Sequence, residues 1–103
     1  MLRGVSSNRS EPETWSVTFY RDVLDRLFGF DDRLREMFLA DFDEACTDPM
    51  VLMSRVVLPK GSRCEVRQFE SSFSERGFSV VARCEIVGHH IDVRDIVLVD
   101  HHY

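Results

Sequence analysis

Four histidines occur as two adjacent pairs, His89-His90 and His101-His102, and several aspartates lie close to them in the sequence. Imidazole and carboxylate groups are common zinc ligands, so this combination is the first place to look for chemistry. Neighbouring residues on an extended chain point to opposite faces, however, and on a straight strand the two pairs lie about 35 to 40 Å apart at ~3.3 Å per residue. We therefore predict no metal site and no cofactor, and metal binding by the histidine pairs is the least favoured hypothesis.

Basic side chains are concentrated in the second half of the chain, where guanidinium groups could meet phosphates and aromatic rings could stack on bases. Residues 50–83 carry six basic and three acidic side chains, a local net charge of +3. The candidates for a nucleic-acid surface are Arg63, Arg67 and Arg83. Against this hypothesis, the whole chain has a net charge of −5 and an isoelectric point near 5.3. The competing role for these arginines is ion pairing with glutamates on neighbouring strands.

Nucleophilic catalysis requires a base within hydrogen-bond reach of a serine or cysteine. The sequence alone places neither His89 nor His90 beside a cysteine, and it contains none of the motifs G-x-S-x-G, G-x-x-x-x-G-K and H-E-x-x-H. We therefore predict no catalytic residues, and enzymatic activity is less favoured than binding.

The three cysteines are Cys46, Cys64 and Cys84, an odd number without a C-x-x-C pair. This pattern argues against a disulfide framework, and free cysteine is usually buried as a small apolar residue. The chain also lacks an apolar run long enough for a membrane span, and residues 1–9 lack the apolar stretch of a secretory signal. We expect a cytoplasmic protein without a membrane partner.

The spacing of apolar residues changes at Pro49, from every three or four positions before it to every second position after it. This change predicts an antiparallel helical hairpin over residues 10–47. Ser10 and Pro12 mark the start of its first helix, whose apolar face includes Trp15 and Phe19. The hairpin carries the acidic excess, because residues 14–48 hold four arginines against nine aspartates and glutamates.

Residues 50–100 predict four to five antiparallel strands, of which Phe78–Val87 has the clearest alternation. The segment Met50 to Leu58 is nearly all apolar and predicts a first strand. The last segment, Ile91 to Val99, is interrupted at Arg94-Asp95, as if it took one helical turn. A meander with such an interruption near its end resembles a small SH3-like barrel, so the expected class is α+β, with the barrel as one form of the sheet.

We expect a terminus without regular structure over residues 1–9 and one domain over residues 10–103. The predicted function is a non-enzymatic protein-interaction or regulatory module, which could act as a homodimer. Its apolar strand Met50 to Leu58 would form the pairing edge, with Met53 and Arg55 contacting the partner. Nucleic-acid binding through the arginine-bearing strands is the alternative.

Overall fold

The computed structural model describes residues 15–73 and 77–100. Its elements are β1 (Ser16–Phe19), α1 (Arg21–Gly29), α2 (Asp32–Ala45), α3 (Pro49–Leu52), β2 (Ser54–Val56), β3 (Glu65–Phe73), β4 (Phe78–Val87) and β5 (His90–Asp100). The predicted terminus 1–9, the helix start at Ser10 and the pair His101-His102 lie outside the described residues. No helix in the described ranges is long and apolar enough to cross a membrane.

The five strands form one sheet in the order β1-β5-β4-β3-β2. β1 runs parallel to β5, and the other neighbours are antiparallel. The α+β class, with the helical hairpin ahead of the main strands, is therefore confirmed. The sheet is open, with β1 and β2 at its edges, and it does not close into the SH3-like barrel that the strand pattern resembles.

The first helix is shorter than predicted, because residues 16–19 form a strand. Trp15 and Phe19 are four positions apart, which suits a helix, but Val17, Thr18 and Phe19 are residue types that favour strands. Pairing of this segment with residues 90–93 of β5 decides the outcome. The helix begins at Arg21 and ends at Gly29.

The core lies between the two long helices and one face of the sheet. Asp31 caps the start of α2: its carboxylate accepts the Arg33 N–H at 3.1 Å and satisfies a free amide of the first turn. The ring centroids of Phe38 and Phe42 lie 5.5 Å apart, and both rings contact Phe69 of β3. The remaining buried apolar side chains are Val23, Leu27, Leu34, Ala45, Met53, Val80, Ala82, Cys84, Ile91, Val93 and Ile96. Phe38 and Phe42 link α2 to the sheet, so truncation of either ring should cost about 3 to 5 kcal/mol.

The predicted strand from Met50 to Leu58 is only partly a strand. Pro49 occupies the first turn of α3, where a missing N–H leaves no gap in the hydrogen bonding. The Leu52 N–H then donates to the Asp48 carbonyl at 2.9 Å. Three residues remain for β2, whose one neighbour among the described strands is β3. The apolar composition of this segment does not distinguish a helical turn from a strand, because apolar residues occur in both.

The β4–β5 hairpin matches the prediction most closely, since β4 has the predicted bounds. Val87 pairs with His90, which leaves the two-residue turn Gly88-His89 with Gly88 at a φ of 60°. Glycine at the first central position suits the right-handed twist of a tight hairpin. The interruption predicted as a helical turn is a β-bulge: Asp95 faces Arg83 and Val93 faces Cys84, so Arg94 is the extra residue.

Candidate functional site

Two surfaces bring together side chains that could bind or react. One is the connection between β2 and β3, residues 57–64, and the other is the face of the sheet opposite the helices, called the outer face below. Side chains directly opposite each other on paired strands share a face. Arg67, Phe69 and Ser71 of β3 therefore share the helix-covered face with Cys84, Ala82 and Val80 of β4.

The first surface contains an open groove of about 420 Å³ between the β2–β3 connection and the strand ends. Its lining includes Arg55, Val56, Leu58, Arg63, Cys64 and Val66. Valines supply an apolar floor, while Arg55 and Arg63 are exposed beside it. We call this feature the hairpin groove.

Exposed apolar side chains flank β2 on both sides in the sequence. Val57, which also lines the hairpin groove, is 94% exposed, and Val51 of α3 is 74% exposed. Met53 differs, because it is only 2% exposed and packs into the core. A partner can therefore reach Arg55, Val51 and Val57 directly, whereas contact with Met53 would require the core to open.

Arg67 holds the backbone on the helix-covered face. Its side chain is 14% exposed and pairs with Glu65 at 2.6 Å. The guanidinium also donates to the carbonyl oxygens of Met50 at 3.1 Å and Met53 at 3.2 Å. These bonds fix the α3–β2 segment against β3. The Arg67 guanidinium is therefore used in contacts within the fold.

The three arginines of the nucleic-acid hypothesis occupy separate positions. Arg63 lies in the β2–β3 connection, and Arg67 lies under α3. Arg83 is exposed on the outer face, where it donates to the Gln68 side chain at 3.3 Å. The structure does not gather them into one basic patch.

On the outer face, three polar side chains form a row of hydrogen bonds. Ser16 Oγ lies 2.6 Å from His90 Nδ1, and His90 Nε2 lies 2.9 Å from Asp92 Oδ1. The parallel register sets Ser16 beside His90, and residues two apart on β5 share a face. We call these three side chains the Ser16 row.

Neighbouring contacts hold the Ser16 row in place. The Trp15 ring packs against the His89 ring with centroids 4.7 Å apart, which joins the start of β1 to the β4–β5 turn. Beyond Asp92, Arg94 donates to Glu85 at 3.0 Å and its guanidinium lies 4.5 Å from the centre of the Tyr20 ring. The bulge at Arg94 thus ties β5 to β4 and to the residue that follows β1.

Sequence reasoning considered His90 and the aspartates near it as metal ligands, and it missed Ser16 entirely. The partnership depends on a parallel pairing between residues 74 positions apart, which no local pattern encodes. The one available signal was the run Val17-Thr18-Phe19, whose strand-forming residue types favour the extended form.

The thiols occupy three different environments, and all three are free. Cys84 is buried as predicted, Cys46 is half-buried, and Cys64 is exposed, contrary to prediction. Burial raises the pKa of the Cys46 thiol to about 11, with a smaller contribution from Asp43. Burial likewise raises the pKa of Cys84 to about 12, with Cys46 contributing less. The thiols of Cys46 and Cys84 therefore stay protonated at neutral pH.

In the described part of the chain, no group of three or more histidine, cysteine, aspartate or glutamate side chains is arranged to hold a metal ion. The His90–Asp92 contact is thus a hydrogen bond within the Ser16 row, without a third ligand among these residues.

No protein-family model matches this sequence, and neither the curated proteins nor the solved structures include a significant match to it.

Proposed function

We propose that this chain is a protein-interaction module whose binding site is the hairpin groove together with the open edge of β2. The observation that carries the proposal is the exposure of Val57, 94% accessible at the margin of a groove of about 420 Å³. Exposed apolar side chains beside a concave surface are typical of protein contact sites. The side of β2 that has no neighbouring strand in the described ranges can also accept an extended segment as an added strand.

The charge around the groove favours an acidic partner. Glu65 is paired with Arg67, whereas Arg55, Lys60 and Arg63 have no ion pair with any residue in the described ranges. A segment with apolar side chains at alternate positions and carboxylates between them would meet both the valines and the arginines. We therefore propose an acidic, partly apolar segment of another protein as the occupant.

A second copy of the chain is the other occupant that this edge accepts, because the acidic helices of one copy complement the arginines of another. Nucleic-acid binding has weaker support, since Arg67 is engaged with the backbone and Arg83 lies on a different face. Three free thiols suit a reducing compartment, and we propose the cytoplasm as the site of action.

The experiment is selection of peptides from a displayed random library on the immobilised chain, followed by fluorescence anisotropy on the selected peptides. We expect peptides that combine carboxylates with apolar residues. Arg55→Ala and Val57→Glu should each weaken binding about tenfold or more, because tenfold corresponds to ~1.4 kcal/mol. Val87→Glu is the matched control, since Val87 is an exposed valine at the end of β4.

Equal binding by wild type, Arg55→Ala and Val57→Glu would refute the proposal, as would selection without a consensus. Size-exclusion chromatography with light scattering, combined with absorbance at 260 and 280 nm, separates the alternatives. A dimer that Val57→Glu dissociates would identify a second copy as the occupant. Copurified nucleic acid that salt removes would favour the arginine-bearing strands instead.

A further inference from the structure

We propose that Ser16 is a nucleophile activated by His90, and that the Ser16 row is an acyl-transfer site for small activated esters. The inference rests on the outer face of the sheet and is independent of the hairpin groove. Its basis is the distance of 2.6 Å between Ser16 Oγ and His90 Nδ1, with Asp92 on the other ring nitrogen at 2.9 Å.

The carboxylate of Asp92 determines which ring nitrogen carries the proton. An ionised carboxylate only accepts hydrogen bonds, so the neutral His90 ring donates from Nε2 and keeps the lone pair on Nδ1. That lone pair faces the Ser16 hydroxyl, which donates its proton to it. A serine, a base and a carboxylate that orients the base are the three parts of an activated nucleophile.

The open edge of β1 supplies a donor for the developing oxyanion. The Ser16 N–H donates to the carbonyl of His89 in the β4–β5 turn, and the Tyr20 N–H donates to the carbonyl of Val93 in β5. Because successive N–H groups along a strand alternate in direction, the Val17 N–H points away from β5. This amide follows the nucleophile directly and lies on the side of β1 that has no neighbouring strand among the described residues, where a carbonyl oxygen under attack could reach it.

The reaction begins when Ser16 Oγ attacks the carbonyl carbon of the ester and its proton passes to His90 Nδ1. The tetrahedral intermediate then collapses, the bond from carbon to the leaving oxygen breaks, and that oxygen takes the proton from His90. Ser16 is left as an acyl ester, with His90 neutral again. Water can repeat the two proton transfers and release the carboxylic acid.

Exposure sets the class of substrate. Ser16 is exposed, while the side chains of His90 and Asp92 are 33% and 24% exposed, so the reacting oxygen is accessible and the base is partly shielded. Small, activated esters therefore match this site best.

The test is labelling of the full chain with a fluorophosphonate probe, in which the serine oxygen displaces fluoride from phosphorus. Intact mass and peptide mapping would then locate the adduct. We expect one adduct, on Ser16, and none at that position in Ser16→Ala. Because a general base contributes about 10²- to 10⁴-fold, His90→Ala should slow labelling at least ~100-fold, and added imidazole should partly restore it.

Ser54→Ala is the matched control, because Ser54 is an exposed serine on an edge strand, and it should label as wild type does. Wild-type labelling of Ser16 no faster than that of Ser54 would overturn the proposal without any variant. Unchanged labelling in His90→Ala, with circular dichroism showing an intact fold, would overturn it as well.

Discussion

The Arg26 guanidinium of α1 donates a hydrogen bond to the backbone carbonyl of Ile96 in β5, across 2.9 Å. The same guanidinium pairs with Asp95, and the Asp95 carboxylate accepts the Ile96 N–H at 3.0 Å. β1 pairs with residues 90–93 of β5, so within residues 15–73 and 77–100 no strand lies beside Ile96 on that side. The Arg26 and Asp95 side chains thus satisfy the backbone carbonyl and N–H of Ile96, and they block a position at which another strand could pair.

Arg26→Ala should make this edge available. Val97, Leu98 and Val99 follow Ile96 and are exposed, so an uncapped edge would offer an apolar strand to a second chain. We expect a rise in weight-average mass by sedimentation velocity, and a loss of about 1 kcal/mol in the free energy of unfolding from the lost hydrogen bond. Arg21→Ala is the control, as an exposed arginine of the same helix. Identical sedimentation of the two variants would contradict the capping role.

Arg67→Met should destabilise the fold more than any substitution of an exposed arginine. It removes two bonds to the backbone carbonyls of Met50 and Met53 and leaves Glu65 without its guanidinium partner. Hydrogen bonds to charged groups contribute about 1.5 to 3 kcal/mol, so we expect a loss of ~2 kcal/mol in urea unfolding. Arg83→Met should cost much less, because Arg83 is exposed. Similar midpoints for both variants would show that the α3–β2 segment does not depend on Arg67.

The three thiols should react at very different rates. The thiolate is the reactive form, and a raised pKa keeps Cys46 and Cys84 protonated until the pH approaches about 11 and about 12. At pH 8, a disulfide reagent such as dithionitrobenzoate should titrate one thiol rapidly, and Cys64→Ala should abolish that phase. Two further thiols should appear only after unfolding in guanidinium. Rapid titration of all three in the native state would mean that the helix–sheet core opens readily.

Local patterns predicted the elements that are long enough to show a period. α2 has buried residues at positions 34, 38, 42 and 45, and β4 buries Val80, Ala82 and Cys84 at alternate positions. β1 and α3 are four residues each, too short for helical and strand spacing to differ. At that length, contacts with the rest of the fold determine whether the segment is a helix or a strand, as pairing with β5 does for β1.

The candidate sites also divide into features that residue type indicates and features that depend on long-range contacts. Arg55 and His90 were considered as candidates from residue type alone, because arginine and histidine side chains can bind or react in any sequence. The partnership of Ser16 with His90 and the engagement of Arg67 with Met50 depend on long-range contacts, which composition does not encode. The burial of Met53 also followed from this segment's unexpected helical turn.

The parallel pairing of β1 with β5 has a consequence for how the protein is made. Ser16 and His90 are 74 residues apart, and every other strand of the sheet is synthesised between them. At about 5 to 20 residues per second, β1 waits roughly 4 to 15 s on the ribosome for its partner to be translated. During that interval Val17 and Phe19 have no β5 to pair with. The first strand to be synthesised is therefore among the last to pair within the sheet.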